Sequence, residues 1–398
     1  MLRPDSFALT LLLALLTGIG PLTVDMYLAS LPEIGRVLAA PTSQVQLTIS
    51  VYLVGHALGQ VFYGPLSDRH GRKPVLAAAL GVYLVATLAC LFAPSIEFLI
   101  AARFAQALGG SGAVVLARAV VRDIYEGVRV GRELSRMAAI MALAPLVAPL
   151  IGGVLQTVFG WRSNFAVLAL FGVTAVTMVW LLLPETLRQR APEPVSLGSM
   201  LRSFRRFLGY RSFVLHLGIA TCCMAGLFGW ISTAAFVLQD IYGLSPLMFG
   251  FAFAVGGSGY LIGTTLAARF VVRWGSLRTM GFGTVAMAVG GLAMLAMVAI
   301  DWQVATGVVA TIGVYMIGMG MALPQAQAGA LLPFPDRAGA ASSLMGVTTQ
   351  TVAAIVGAVL GHTLGATAWP LAIAMAAAGS LALLFWMLVR ASRDAAQA

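Results

Sequence analysis

The stretch GPLSDRHGRKP, residues 64–74, places five charged or titratable side chains and two glycines between two long apolar runs. The chain as a whole is poor in charge, since 60% of its 398 residues are hydrophobic and 10% are charged. Soluble chains carry about 45–50% apolar and about 25% charged residues. The mean hydropathy of +0.94 therefore indicates a membrane protein with several spanning helices, connected here by a short polar loop.

Twelve apolar runs are each long enough to cross the hydrocarbon core as a helix. We predict spans near residues 7–29, 43–63, 74–93, 97–118, 135–157 and 165–184, and near 212–237, 247–268, 279–299, 303–324, 338–360 and 367–390. The first run has no small-residue cleavage site after it, so we expect a retained span. The predicted fold is all-α and polytopic, with an N-terminal six-helix bundle (1–184), a cytoplasmic central loop (185–211) and a C-terminal six-helix bundle (212–398).

The placement of the basic residues predicts the orientation. The formal net charge is +10, but the arginines and lysines occupy short connections, which argues against nucleic-acid binding. With the N-terminus inside, only Arg36 and Arg162 of the connecting segments lie on the opposite side. An excess of basic residues marks the cytoplasmic side, so both termini are predicted to be cytoplasmic.

Two short patterns recur at a constant spacing. GHALG at 55–59 is followed 204 positions later by GYLIG at 259–263, and RHG at 69–71 by RWG at 273–275. Glycine is common in this chain, so chance matches remain an alternative for each pattern taken alone. A shared offset across a span and its loop favours an internal duplication, and two related six-helix halves are a plan used by transporters.

Asp68 is the unexpected member of the opening loop, because orientation in the bilayer requires only its basic neighbours. An acid close to helix starts can bind a helix N-terminus or an arginine in one conformation and be released in another. The alternative is a solvated charge cluster that only determines topology.

The loop resembles the signature of the major facilitator superfamily, Gly-x-Leu-x-Asp-Arg-x-Gly-Arg-Arg/Lys. The matching residues are Gly64, Leu66, Asp68, Arg69, Gly71, Arg72 and Lys73. The resemblance implies a conformational-gating loop whose acid engages the start of span 11, here the segment from Pro335, and charges at the end of span 4, here Arg122 and Asp123. The second-half copy has Val272 where the acid would stand, so we expect a latch on one side only.

Further motifs resemble the drug/proton antiporter branch of that superfamily, and within it the Bcr/CflA subfamily with its phenicol exporters. They are PLTVDMYLASLP (21–32), VQLTISVYLVGHALGQVFYGPLSDR (45–69), RFAQALGGSGA (103–113), VRDIY (121–125), APLVAPLIGG (144–153) and AWPLA (368–372). The resemblance implies a twelve-span facilitator fold in a bacterial inner membrane. One departure is Ala148, where the antiporter motif has glycine.

The antiporter motif in span 5 comprises Pro145, Pro149, Gly152 and Gly153. Prolines at i and i+4 with glycines one turn on predict a kinked helix with a thin face. The resemblance implies that this face seals span 5 against span 8 and prevents proton leak. A simple packing groove is the alternative.

Asp25 and Arg103 are the two ionisable residues that lie clearly inside predicted spans, where such groups are costly and mark functional sites. Their distances from the outer ends of spans 1 and 4 are similar, about 6 Å and about 9 Å at 1.5 Å per residue. We therefore expect them to be neighbours. Burial and a nearby guanidinium act oppositely on a carboxyl's proton, so Asp25 is predicted to exchange a proton in competition with substrate. A static ion pair is the alternative.

The remaining candidates for a substrate cavity are polar or aromatic. Gln106 follows Arg103 at i+3, on the same helix face. The second half has no comparable charge within its spans and offers side chains that bind by shape and contact. The full set is Tyr27, Tyr52, Gln60, Gln106, Phe228, Trp230, Phe236, Tyr315 and Gln350.

These observations predict proton-coupled efflux of small amphipathic antibacterial compounds by alternating access. One acid and one base sum to nearly zero charge, so we expect neutral substrates, such as chloramphenicol, florfenicol or bicyclomycin. The alternative is a proton-coupled transporter of a metabolite or small peptide with the same fold.

Other function classes lack support in the sequence. No clustered carboxylates or nucleophile–base pairs indicate an enzyme, and nothing resembles a pore-loop filter. The three cysteines and four histidines show no metal-ligand spacing. We expect no metal or cofactor, with the proton gradient as the energy source, and a monomer whose partners are drug, protons and lipid.

Overall fold

The structure, a computed structural model, describes residues 7–125, 128–141, 143–187, 204–302, 304–334, 338–365 and 367–397. The regular elements in these ranges are helices. They are α1 (Phe7–Asp25), a 3₁₀ turn (Leu28–Ser30), α2 (Leu31–Val37), α3 (Thr42–His70), α4 (Arg72–Leu91), α5 (Ile96–Ile124), α6 (Val128–Met141), α7 (Ala144–Phe159), α8 (Arg162–Leu182), α9 (Arg211–Ala235), a π-helical turn (Phe236–Ile241), α10 (Pro246–Ala299), α11 (Ala305–Leu331), α12 (Ala338–Thr363) and α13 (Trp369–Gln397).

Ten helices among the described residues are long and apolar enough to cross a membrane. One of them, α10, has 54 residues and contains two predicted spans, separated at Gly275 by non-helical backbone. The shorter apolar helix α7 covers most of the predicted fifth span. Each of the twelve predicted spans therefore falls on helix, and the all-α polytopic prediction is confirmed.

Proline residues mark changes in the helices of spans 1 and 5. One candidate span covers Ala8–Val37 and so includes nearly all of predicted span 1, but its α-helix is interrupted between Asp25 and Leu31 by a turn and a 3₁₀ turn. Pro32 lies in the first turn of α2, and a proline ring clashes with the carbonyl four residues earlier, which is within the break. In span 5, Pro145 lies in the first turn of α7.

The helix of span 2 extends beyond residue 63, where the predicted span ends. α3 continues through Gly64 and Pro65 to His70. The chain reverses at Gly71, whose φ is 102°. A backbone with this φ is open to glycine and strained for other residues.

The chain forms two compact units, Met1–Val195 and Ser196–Ala398. Most of the predicted central loop, 185–211, lies outside the described residues. In the first unit, α3 and α4 pack on α5, and glycines allow the close approach. Gly55 and Gly59 of α3 face the α5 carbonyls of Phe104 and Leu108. Backbone contact through small residues is the usual way in which helices associate in lipid.

The second unit repeats this arrangement. Gly259 and Gly263, 204 positions after Gly55 and Gly59, lie in α10 and face the α11 carbonyls of Gly313 and Ile317. Gly275, 204 positions after Gly71, also has a positive φ, of 78°. Equivalent glycines thus have equivalent packing and backbone geometry, which supports the predicted internal duplication.

Three glycine-to-alanine substitutions separate backbone strain from crowding. Gly71→Ala should be the most destabilising, by about 1–3 kcal/mol for strained backbone, because the new Cβ also meets the Glu185 carboxylate. Gly275→Ala meets nothing within 4 Å and should lose only the backbone contribution. Gly81→Ala, inside α4 with nothing within 4 Å, is the control and should not destabilise. Thermal unfolding in detergent measures the order, and a different order would contradict this account.

Candidate functional site

Arg103 is the centre of a buried cluster in the first unit. Its side chain, on α5, is 0% exposed. The guanidinium carbon lies 4.5 Å from the centre of the Tyr27 ring and 4.4 Å from that of the Tyr52 ring. Tyr27 follows the end of α1, and Tyr52 is on α3. The cation is thus held by two aromatic faces, an attraction that strengthens when water is excluded.

Hydrogen bonds fix one side of the guanidinium. Arg103 Nη1 donates to Gln106 Oε1 at 2.6 Å and to the Thr23 carbonyl oxygen at 3.3 Å. Gln106 Nε2 in turn donates to Thr87 Oγ1 on α4 at 2.8 Å. Gln106, expected beside a substrate, therefore orients Arg103 through its amide oxygen.

The other side of the guanidinium is free. Arg103 Nε and Nη2 are buried without a hydrogen-bond partner among the described residues, as is the Tyr52 hydroxyl. Buried donors that lack a partner are rare in folded proteins and costly. This cluster therefore offers N–H and O–H groups to an oxygen atom of a bound molecule.

Asp25 lies near this cluster but does not pair with Arg103. It is the last residue of α1 and is 5% exposed. No ion pair between Asp25 and Arg103 is present in the described part of the chain, so direct pairing does not occur in this conformation. Asp25 still lies within electrostatic range of Tyr52.

The antiporter motif packs against the break after Asp25. A Cβ on Gly152 would overlap the Met26 carbonyl, so α7 approaches the α1 backbone directly. Pro149 and Ala148 of the same helix are buried. On the side that faces the end of α1, this contact agrees with the alternative interpretation, in which the motif is a packing groove. The expected seal between spans 5 and 8 involves both units and stays a prediction, and so do the roles of Pro145 and Gly153.

A polar cluster on the 3₁₀ turn, α2, α7 and α8, which the sequence did not predict, continues this contact. Ser30 Oγ donates to Gln156 Oε1 at 2.5 Å, and Asn164 Nδ2 donates to Ser30 Oγ at 2.9 Å. Glu33 accepts hydrogen bonds from Gln156 Nε2 and from the Trp161 backbone N–H. The four side chains hold the chain that follows Asp25. In the sequence, only the acid one residue after Pro32 indicated a polar contact at this place.

The loop 64–74 is organised around Arg72, which is 8% exposed. Its Nη1 lies 2.5 Å from Asp68 Oδ1 and donates to Ser67 Oγ at 2.6 Å. Its Nε donates to Asp123 Oδ2 at 2.9 Å. The structure therefore joins Asp68 to the end of α5 through one guanidinium. The expected contact at Pro335 lies outside the described residues.

Glu185 is a further member of this loop cluster that our sequence analysis assigned to the central loop. Its carboxylate accepts hydrogen bonds from the backbone N–H groups of Arg72 at 2.9 Å and Lys73 at 3.2 Å. These groups begin α4, where an anion is favoured by free N–H groups and the helix dipole. Lys73 Nζ lies 5.8 Å from the Trp180 ring, and Arg69 is exposed. An acid immediately after a predicted span was the available signal.

The second-half candidates lie within the second unit. Trp230 is buried and stacks on Phe253, with ring centres 6.0 Å apart. Tyr315 is buried beside Gly226, and its hydroxyl has no hydrogen-bond partner among the described residues. Phe236 is buried at the start of the π-helical turn. Two further candidates, Phe228 and Gln350, are partly buried, whereas Gln60 of the first unit is exposed.

The spanning helices, the duplicated units and the buried cationic cluster define a polytopic membrane transport protein. Its family follows from comparison with known proteins. The chain belongs to the Major Facilitator Superfamily, whose family model matches residues 13–358.

Three curated relatives cover most of the chain. An uncharacterized MFS-type transporter, YdgK, of Bacillus subtilis is 36% identical over 90% of this chain and 89% of that protein. A bicyclomycin resistance protein homolog of Haemophilus influenzae is 30% identical over 94% of each. A chloramphenicol resistance protein of Pseudomonas aeruginosa is 31% identical over 92% of this chain and 87% of that protein. The predicted resemblance to drug-resistance members of the superfamily is confirmed.

Solved structures show the same fold at low identity. A peptide transporter, POT, in complex with sulfate aligns with a TM-score of 0.81 and 13% identity, covering 99% of this chain and 96% of that chain. The nucleoside transporter NupG aligns with a TM-score of 0.77 and 13% identity, covering 96% and 99%. These similarities establish the fold.

Substitution of Arg72 by lysine tests whether the planar guanidinium is needed to hold the groups around the loop 64–74 together. Arg72→Lys keeps the charge but cannot place donors on Asp68, Ser67 and Asp123 together. We expect a loss of about 1.5–3 kcal/mol, the contribution of a hydrogen bond to a charged group. The control is Arg69→Lys at an exposed position, which should leave the unfolding temperature unchanged. Equal effects of the two substitutions in thermal unfolding would refute the proposed geometry.

The contact between α7 and α1 gives a second test. Gly152→Ala should destabilise the first unit by about 1–3 kcal/mol, the range for overpacking, because the Met26 carbonyl must move. Gly346→Ala, with nothing within 4 Å of the new Cβ, is the control. The unfolding temperature and the transport rate should both fall in Gly152→Ala and stay unchanged in Gly346→Ala. An unchanged unfolding temperature in Gly152→Ala would show that the backbone at Met26 moves without cost.

Proposed function

We propose that this protein exports small, neutral, amphipathic antibacterial compounds in exchange for protons. Two relatives of about the same length are named for resistance to bicyclomycin and chloramphenicol, which supports a drug as the cargo. The observation that carries the proposal is Arg103, fully buried between Tyr27 and Tyr52 with two nitrogen atoms that lack a partner.

This cluster suits a neutral compound with an oxygen-rich polar group and an aromatic or aliphatic body. Arg103 Nε and Nη2 donate to a carbonyl, hydroxyl or nitro oxygen of the substrate. A strongly charged compound is disfavoured, because one permanent cation and one acid nearly balance and a buried charge is costly without a partner. Phenicols and bicyclomycin fit this description.

Proton coupling is assigned to Asp25. An ionisable residue within a span, enclosed by protein, is typical of proton relays in transporters. In the present conformation, Arg103 is bonded to the Thr23 carbonyl and Asp25 is separate. When Asp25 loses its proton, the carboxylate attracts the guanidinium and competes with the substrate for it. Protonation then frees Arg103 for the next substrate.

Alternating access requires a contact that forms in one state and opens in another. The Asp68–Arg72–Asp123 group at the loop 64–74 serves as this element within the first unit, because one guanidinium holds two acids from different helices. We place the loop and both termini on the cytoplasmic side of a bacterial inner membrane, in accordance with the excess of basic residues. The protein functions as a monomer without a cofactor, driven by the proton gradient.

The function is tested with substitutions at Asp25 and Arg103 in a pump-deficient host. Asp25→Asn removes the titrating group, and Arg103→Ala removes the donors. Both should abolish resistance to chloramphenicol, florfenicol and bicyclomycin. Arg103→Lys should also lose about 10-fold or more of activity, because an ammonium group lacks the planar shape that stacks between rings. Glu97→Gln, which changes an exposed acid of α5, is the control and should retain resistance.

Proteoliposomes separate efflux from the alternative of metabolite or peptide transport. With a proton gradient that is acidic on the outer side, the wild type should move drug outward and protons inward. Resistance at the wild-type level in both Asp25→Asn and Arg103→Ala would overturn the coupling scheme. Proton movement driven by a peptide or metabolite, without any driven by drug, would establish the alternative.

A further inference from the structure

His56 is a buried titratable residue that the proposed function does not use. It lies on α3, one turn after Tyr52, and the two rings stack with centres 6.1 Å apart and an angle of 13° between planes. Tyr52 in turn contacts the Arg103 guanidinium. Arg103 and His56 therefore both contact the ring of Tyr52.

Two helices give the same position for His56 along the membrane normal. From Tyr52 to His56 the rise along α3 is about 6 Å towards the loop 64–74. On α1, His56 Cε1 lies 3.6 Å from the position of a Cβ on Gly20, and Gly20 is about 7.5 Å before Asp25. His56 is thus one helical turn from the level of the Asp25 and Arg103 site, on the side of the loop.

The polar atoms of His56 are poorly satisfied for a residue that only fills space. The side chain is 9% exposed, and Nδ1 is buried without a hydrogen-bond partner among the described residues. Phenylalanine would stack on Tyr52 without this cost, since burying an unpaired polar group costs free energy. An imidazole in this position is therefore better explained by proton chemistry than by packing.

The charged surroundings of His56 are simple. Arg118 of α5 is the one described group that interacts with it electrostatically, and Tyr52 is its titratable neighbour on α3. From α1, the contact is Gly20, which is not titratable. Arg118 is exposed and permanently charged, so it repels an imidazolium. A proton that reaches His56 is thus favoured to leave again.

We propose that His56 is a proton relay between Asp25 and the side of the membrane that carries the loop 64–74. This inference rests on the proposed drug/proton exchange. In the transfer, the O–H bond of the Asp25 carboxyl breaks and an N–H bond forms on the imidazole through intervening water, since one helical turn separates the two groups. This step leaves a carboxylate and an imidazolium. The imidazolium then releases a proton to water on the loop side and becomes neutral again. Histidine suits this role because one ring nitrogen of a neutral imidazole accepts a proton while the other carries one that can be released.

The experiment compares two substitutions in purified full-length protein in liposomes. His56→Gln keeps a hydrogen-bonding side chain without a titrating group, and His56→Phe keeps the aromatic stack on Tyr52. Chloramphenicol-driven proton movement is followed with a pH-sensitive dye, and chloramphenicol binding is measured separately. Both variants should move protons about 100-fold more slowly, at the lower end of the typical effect of a proton-transferring side chain, with binding changed less than about twofold.

Each alternative gives a different pattern. If only His56→Phe is slow, His56 acts as a hydrogen-bonding group, and if only His56→Gln is slow, it acts by stacking. Either pattern overturns the relay, as does a decline of less than about tenfold in both variants, which falls well below the usual range for proton transfer. A decline in drug binding that accounts for the slower flux also overturns it, since His56 would then contact substrate.

A separate measurement distinguishes failure of the relay from failure of the proposed function. If the wild type shows no drug-driven proton movement, the proposed function is wrong, and the relay is judged by nitrogen-15 NMR of histidine-labelled protein. The His56 signal is identified by its loss in His56→Gln. Nitrogen signals of His56 that shift with pH differently in the wild type and in Asp25→Asn support the relay, because the ring then responds to the proton on Asp25. Signals with the same pH dependence in both proteins overturn it.

Discussion

The packing of the first unit depends on how the permanent positive charge of Arg103 is stabilised away from water. Arg103 cannot release its proton, and a buried charge is costly unless other groups replace its hydration. Two tyrosine faces, one amide oxygen and one backbone carbonyl do so here, and they come from α3, α5 and the chain at the end of α1. The positions of these three segments are therefore coupled through a single side chain. A change in any one of these contacts is felt by the others.

The loop 64–74 also stabilises a guanidinium, where α3 ends and α4 begins. Arg72 is also an arginine with little exposure, but its partners are two carboxylates and a hydroxyl. Glu185 adds an acid at the start of α4. The contrast is informative, because the loop arginine has anionic partners, whereas the buried arginine in the described structure has none and leaves two nitrogen atoms unpaired.

The spans, the duplication and the residues Asp25, Arg103 and Asp68 could be recognised from the sequence because each depends on local pattern. Apolar length predicts a helix, and a charge within an apolar run is conspicuous. The break after Asp25 was not predicted, since hydropathy stays high through residues 26–31 while Pro32 acts on the preceding turn. The Glu33–Gln156 contact joins residues 123 positions apart, and no periodicity reveals such a pair. His56 was visible in the sequence, but only packing shows that it stacks on the tyrosine beneath Arg103.

The two copies of the loop share a backbone turn but not the ion pairs around it. Gly71 and Gly275 both have a positive φ, whereas Val272 stands in place of Asp68 and Ser276 in place of Arg72. Val272 is 87% exposed. The second copy therefore keeps the turn without the Asp68–Arg72 pair of the first. High salt, which screens partly exposed ion pairs, should consequently weaken the first copy more than the second.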